Sequence, residues 1–230
     1  MMLQNQDSND KILHDGVLPR YKQVMDACAD AIPKSVLSLL VKMFEKLNDE
    51  MLILAEKAQT NEMRSGYLEV LHTLRVHREE IQGRFHAELY DGFTNFENGG
   101  RGGAIKKTAE NGDIKLALVE KNDQEQILAV STIVNKACNK FLGSLYTLNR
   151  RLAVVNGGTK IGEMDASFPC GPRHLCNAFL AATEVFEIDP KIKVDVINLF
   201  DFSVVSEAAD VYTDFNEQLV KEGVLPNLLG

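Results

Sequence analysis

NDQEQILAVSTIVNKACNKFLGSLYTLNRRLAVVN, residues 122–156, is the stretch whose reading decides the fold class. Its apolar residues fall at Ile127, Val130, Val134, Ala137, Phe141, Leu145, Leu148, Leu152 and Val155, in steps of 3, 4, 3, 4, 4, 3, 4 and 3. A strand needs a period of two, whereas steps of three and four put all these side chains on one face of a helix. Ile133, Cys138 and Leu142 flank the stripe and widen it, enough to touch more than one neighbour. Read as one helix it would be about 50 Å long. Nothing on it resembles catalytic chemistry, and its role is to build a core.

A second pattern of the same kind runs from Lys34 to Gln59 through Leu37, Leu40, Phe44, Leu47, Met51, Leu54 and Ala58. The two long segments, about 34–59 and 122–156, are expected to pack against each other at a shallow angle. Before the first, Pro19 suits the opening turn of a short helix to Ile32, and Pro33 suits the start of the next one. Thr60 or Asn61 can cap a helix with Tyr67, Val70, Leu71 and Leu74 on its apolar face. A break between Leu74 and Arg78 then leads to a stripe through Ile81, Phe85, Leu89 and Phe93 or Phe96.

Residues 97–103, Glu-Asn-Gly-Gly-Arg-Gly-Gly, are the clearest breaker. They lack the Gly-Lys-Ser/Thr ending of a P-loop and follow a helical pattern, where a dinucleotide fingerprint needs a strand, so a linker is the better reading. The short apolar stretch Ile114–Val119 could be extended. Asn156-Gly157-Gly158 stops the organising helix, Pro172 opens another, and Asp189-Pro190 reads as the cap and first position of the last helical region, which ends at Gly223. The sum is an all-α bundle of six or seven helices. Residues 1–18 are expected to form a flexible polar tail, and a Gly-rich linker at 98–103 to join N-terminal helices (19–97) to C-terminal ones (104–226) in one helical domain.

The composition narrows the function classes. The 33 acids against 25 bases give a net charge of -8, which argues against nucleic acid or anionic lipid as the partner. Tryptophan is absent and aromatics are 7%, little material for base stacking. Four cysteines in 230 residues are too few for a disulfide scaffold. No apolar run is long enough to span a bilayer and the first ten residues lack a secretory core, so a cytoplasmic protein is expected.

Candidate chemistry is sparse. His72, His77 and His86 lack the i, i+4 spacing of a helical metal site. Cys170, His174 and Cys176 make a local Cys-x3-His-x-Cys cluster, but a zinc site wants a tighter pair and a second pair elsewhere. Adjacent acids such as Glu79-Glu80 diverge on a helix and do not form an acid/base dyad. No Gly-x-Ser-x-Gly elbow occurs. No catalytic, cofactor-binding or metal residue is therefore assigned. Arg75, Arg78 and Arg84, with Lys106 and Lys107, could form a positive patch for an anion or a partner, and Arg150-Arg151 near the end of the organising helix could fix its neighbours.

Several segments also carry a resemblance. Leu18-Pro19-Arg20, Asn48-Asp49-Glu50-Met51, Leu54-Ala55-Glu56-Lys57-Ala58 and Asn61-Glu62 before Tyr67 are the early ones. Arg75-x2-Arg78-x2-Ile81-x2-Arg84-Phe85, Leu145-Tyr146-x-Leu148-Asn149-Arg150-Arg151-Leu152, Gly171-Pro172-x2-Leu175-Cys176-x-Ala178-Phe179 and Glu222-Gly223-Val224-Leu225-Pro226-Asn227-Leu228 follow. In this order and spacing, from about 18 to 228, they resemble the N-terminal part of a bacterial family of large proteins, the domain of unknown function 1631. The resemblance implies that the chain is the N-terminal part of a longer protein. Some members carry a thymidine phosphorylase label, for which no motif can be placed here. The C-terminal part of the family resembles a small PilZ-like barrel of the sort that binds cyclic di-GMP. No Arg-x3-Arg box occurs in residues 1–230, so such binding would lie elsewhere. The Gly-rich loop at 99–103 looks like an insertion specific to this chain's lineage.

The expected function is a non-catalytic helical protein-interaction or oligomerisation module of a bacterial regulatory protein, with a protein partner or a second copy bound and no cofactor. The alternative is a small-molecule or cyclic-nucleotide-binding regulatory domain that uses Arg75, Arg78 and Arg84 or the 99–103 loop to hold an anion.

Overall fold

The computed structural model describes residues 16–99, 121–158 and 168–228. A 3-10 turn, Pro19–Tyr21, leads into α1 (Lys22–Lys57), α2 (Asn61–Val76), α3 (Arg78–Glu97), α4 (Lys121–Lys140), α5 (Leu142–Val155), α6 (Pro172–Thr183), α7 (Pro190–Ser203) and α8 (Ala209–Lys221). A second 3-10 turn, Val205–Glu207, joins α7 to α8. The fold is all-α, with no strand among the described residues. None of the helices described is long and apolar enough to cross a membrane.

The segments expected on either side of Pro33 are one helix of 36 residues, about 54 Å long. Proline removes an N–H and crowds the preceding turn, at a cost of about 3 kcal/mol in an isolated helix. Burial offsets it: Met25, Cys28, Ile32, Val36, Leu40, Met43, Leu47, Met51 and Ala55 are all buried in steps of three and four, so one stripe crosses the proline without a change of face. Tertiary packing holds a helix that local propensity would have ended there.

Residues 122–156 show the opposite departure. The helix breaks at Phe141, whose φ of -110° and ψ of 25° leave helical space, although Phe141 N–H still reaches the Ala137 carbonyl and Leu145 N–H the Phe141 carbonyl, both at 2.9 Å. The Phe141 ring lies edge-on to Tyr212 of α8, with centroids 5.4 Å apart. The break redirects the stripe, so that α4 lies along α6 and α7 while α5 lies along α8. The expected pairing of α1 with 122–156 is not among the main contacts; α1 packs on α2, α3, α7 and α8 instead. Both segments have a matching period, but α6, α7 and α8 supply equally apolar faces. Ile127 and Leu142, read as inward, are exposed.

The helix ends follow their residues. Thr60 Oγ1 accepts the Met63 N–H, and Asp189 accepts the Lys191 N–H ahead of Pro190. The chain breaks between α2 and α3 at His77. Gly157 and Gly223, at φ 71° and 79°, close α5 and α8 in the left-handed region, where glycine carries no Cβ strain. Gly158 N–H then reaches back to the Ala153 carbonyl at 2.7 Å, and Val224 N–H to Leu219 at 2.9 Å.

The polar tail expected at 1–18 stops short of its last three residues. Val17 N–H donates to the Glu97 carbonyl at 3.1 Å and Leu18 N–H to the Val155 carbonyl at 2.9 Å, which ties the C-terminal ends of α3 and α5 together. Sequence polarity said nothing of these backbone bonds. Residues 1–15, the linker at 98–103 beyond Gly99, and the extended stretch 114–119 lie outside the described residues.

One continuous core contains side chains from all eight helices. Its centre is aromatic: Phe200 of α7 stacks on Phe179 of α6, with centroids 4.2 Å apart and planes at 10°, and meets Phe85 of α3 edge-on at 5.8 Å. Phe93 of α3 packs on Phe215 of α8 at 5.7 Å.

Candidate functional site

The Arg150-Arg151 pair divides, because consecutive helical residues point about 100° apart. Arg150 is exposed, whereas Arg151 is buried. The Arg151 guanidinium donates from Nε to the Val224 carbonyl at 3.2 Å and from Nη2 to the carbonyls of Leu225 at 3.3 Å and Leu228 at 3.2 Å. Nη1 donates to Asn216 Oδ1 of α8, an oxygen that also accepts from Thr147 Oγ1 at 3.2 Å. Asn216 Nδ2 returns a bond to the Ser144 carbonyl at 3.0 Å. Burial lowers the Arg151 pKa, yet from a starting value so high that the group stays cationic. A planar fork with five donors suits this convergence of carbonyls. The centre clamps the α8 exit onto α5, and a groove of about 460 Å³ runs beside it between Gly143, Thr213 and Val220. Asn216 was not legible in the sequence, since nothing marks a residue 65 positions from its arginine.

Of the residues read as a positive patch, Arg75 and Arg78 line one groove, Arg84 is bound elsewhere, and Lys106 and Lys107 lie outside the described residues. Arg84 donates from Nε and Nη2 to Glu80 Oε1 at 3.1 and 3.0 Å, the i, i+4 pair of an exposed helix face. The hydrogen bond from Arg84 is the main cause that lowers the Glu80 pKa. Arg75 and Arg78 stand apart from that pair. With Phe44 and Asn48 of α1 they line a groove of about 410 Å³, and the Arg78 guanidinium lies 5.5 Å from the centre of the Phe44 ring. Among the described residues neither Arg75 nor Arg78 has a carboxylate within ion-pairing distance.

The Cys-x3-His-x-Cys cluster is held inside the core. His174 Nδ1 accepts the Cys170 N–H at 2.9 Å, and Nε2 lies 3.2 Å from the Glu88 carbonyl, to which it donates as the N–H tautomer. Both ring nitrogens are thereby engaged. Burial is the main cause that lowers the His174 pKa to about 4, so the ring is neutral at pH 7. Burial likewise pushes the Cys176 thiol up to about 12, far from thiolate reactivity. Cys170 has a φ of 58°, a left-handed residue that the histidine bond steadies at the entry to α6. Among the described residues no group of three His, Cys, Asp or Glu is placed to hold a metal.

The outward face of α4 and α5 carries a stripe of exposed apolar and amide residues. Leu128, Thr132, Asn135, Asn139, Leu142, Tyr146 and Arg150 step by 4, 3, 4, 3, 4 and 4, and all are exposed. Leu128, Leu142 and Tyr146 remain 68%, 58% and 51% accessible. No carboxylate interrupts the stripe, in a chain with 33 acids. The neighbouring lysines turn back onto the bundle: Lys136 Nζ pairs with Asp201 at 2.8 Å, and Lys140 Nζ donates to the Ser206 carbonyl.

These features define the class of protein, an all-α domain with a buried arginine clamp at its C-terminal turn and an outer helix stripe free of carboxylates. Residues 20–223 match the family model described as protein of unknown function (DUF1631), N-terminal domain, and the chain belongs to that family. The match takes in most of the segments that carried the resemblance; it leaves out Leu18-Pro19 at one end and, at the other, Val224–Leu228, whose first carbonyl Arg151 holds. Neither a curated protein nor a solved structure matches the chain.

Proposed function

We propose that this domain is a non-catalytic oligomerisation module of a regulatory protein, and that the outer face of α4 and α5 pairs with the same face of a second copy. The observation behind this reading is the symmetry of the stripe. Asn135 lies seven residues from both Leu128 and Leu142. In an antiparallel pairing about a two-fold axis at Asn135, Leu128 of one copy meets Leu142 of the other, and the reverse contact forms at the same time. Such an isologous interface needs one self-complementary patch. The asparagine at its centre would set register, as a single buried Asn does in coiled coils. Lys136 and Lys140 flank the stripe, but each is already engaged on the bundle side, by Asp201 and by the Ser206 carbonyl, and the stripe itself carries no charged residue between Leu128 and Tyr146.

Sedimentation equilibrium of the 230-residue chain over a concentration series up to millimolar tests this. The expected result is a dimer that Leu142→Glu and Leu128→Glu each convert to monomer, with far-UV circular dichroism unchanged because both positions are exposed. A wild-type chain that stays monomeric throughout, or a dimer that both variants leave intact, overturns the proposal.

A further inference from the structure

The groove between α1 and the α2–α3 junction is a separate feature, on helices that the proposed dimer face does not use. Four side chains line it: Phe44 and Asn48 one turn apart on α1, Arg75 in the last turn of α2, and Arg78 at the first position of α3. In a chain of net charge -8, an unpaired guanidinium on the surface is unusual company for another one. The basic groups around the junction show the contrast, since His77 Nδ1 lies 3.3 Å from Glu80 Oε2 and Arg84 is bound to the same carboxylate. Glu80 is thus occupied by His77 and Arg84, and Arg75 and Arg78 are left with their charges directed at solvent or a ligand. The Phe44 ring, buried in the core, lies in cation–π contact with the Arg78 guanidinium, which reduces the rotamer freedom lost on binding. Asn48 adds an amide donor, whose Nδ2 makes only a 3.5 Å contact with Asp49 Oδ1.

We infer that this groove is an oxyanion site for a phosphate group, held between the guanidinium groups of Arg75 and Arg78 with Asn48 as a further donor. Two positive charges match the dianion, and the forked donors of arginine match its oxygens. A phosphate group could arrive as free phosphate or on a small organic ester, and the two sources share this chemistry.

Isothermal titration of the full 230-residue chain with inorganic phosphate and, separately, with phenyl phosphate, at constant ionic strength, reads both arms. Saturable one-site binding of either is expected, with Arg75→Gln and Arg78→Gln each raising Kd roughly tenfold, the loss of one charge-assisted pair. Tighter binding of phenyl phosphate than of phosphate identifies an ester as the ligand; equal affinity identifies the free anion. Arg84→Gln serves as the control and leaves Kd unchanged, because that guanidinium is taken by Glu80. Absence of saturable binding at millimolar anion, or equal losses in all three variants, overturns the assignment.

Discussion

Arg151 Nε donates to the Val224 carbonyl at 3.2 Å across 73 residues of chain, so one buried cation joins the end of α5 to the turn that leaves α8. Two segments that look unrelated in the sequence, the Asn149-Arg150-Arg151-Leu152 run and Gly223-Val224-Leu225-Pro226, are a single structural unit.

Arg151→Ala removes donors to four acceptors; Asn216 Oδ1 keeps Thr147 and the Leu225 carbonyl keeps the Leu228 N–H, whereas the buried Val224 carbonyl loses its side-chain donor. A loss of about 3 kcal/mol is expected from the desolvation of those groups. Arg150→Ala, at an exposed position, is expected to stay within about 0.5 kcal/mol of wild type. Urea denaturation of the two variants measures the difference, and equal effects would dismiss the clamp.

Two glycines give opposite signs on substitution by alanine. Gly83 lies inside α3 with open space where a Cβ would stand, so Gly83→Ala is expected to raise stability by about 0.5–1 kcal/mol. Gly16 has a φ of +117°, and a Cβ there would come within 2.3 Å of the Glu97 carbonyl oxygen. Gly16→Ala is expected to destabilise, or to release Val17 and Leu18 from α3 and α5. Thermal melts report the first effect, and hydrogen exchange at the Val17 and Leu18 amides reports the second.

His174 makes stability pH-dependent. Its folded pKa of about 4 lies below the ordinary 6.5, so the unfolded chain binds a proton there that the folded chain does not. The contribution is therefore complete above pH 6.5 and is lost as pH falls toward 4, by up to about 3 kcal/mol. Protonated Nδ1 could no longer accept the Cys170 N–H. His174→Asn keeps an acceptor near Nδ1 without a titrating group. Its unfolding free energy should fall less than that of wild type between pH 6.5 and 4, and identical slopes would refute the assignment.

Tyr67 acts at the alkaline end. Its hydroxyl donates to Asp195 Oδ2 at 2.6 Å and links α2 to α7. Burial, followed by that hydrogen bond, pushes its pKa up to about 12. A phenol whose folded pKa is raised holds its proton where the unfolded chain has lost it, so this stability is present below pH 10 and drains away between 10 and 12. Tyr67→Phe is expected to cost about 1–2 kcal/mol at pH 7 and to flatten that alkaline decline. Chemical denaturation at pH 7, 10 and 11 checks both parts.

Much of this was legible in the chain itself. Periods of three and four residues determined the all-α class, because only a helix brings such positions to one face. Thr60, Asp189-Pro190, Pro172, Gly157-Gly158 and Gly223 marked helix ends, because caps and left-handed turns are satisfied by nearby backbone. Local chemistry determines local structure, and it can be read locally.

Tertiary packing decided the rest. A helix runs through Pro33 because a stripe on both sides of it meets a common core, and a helix ends at Phe141 because α4 and α5 face different partners. Which of two adjacent arginines is buried, which arginines share a groove, and which acid removes Arg84 from the patch depend on chain segments far apart in sequence. Helical period specifies that a face exists. The energy of covering it belongs to whichever neighbour lies opposite, and that choice is made only when the helices close on one another.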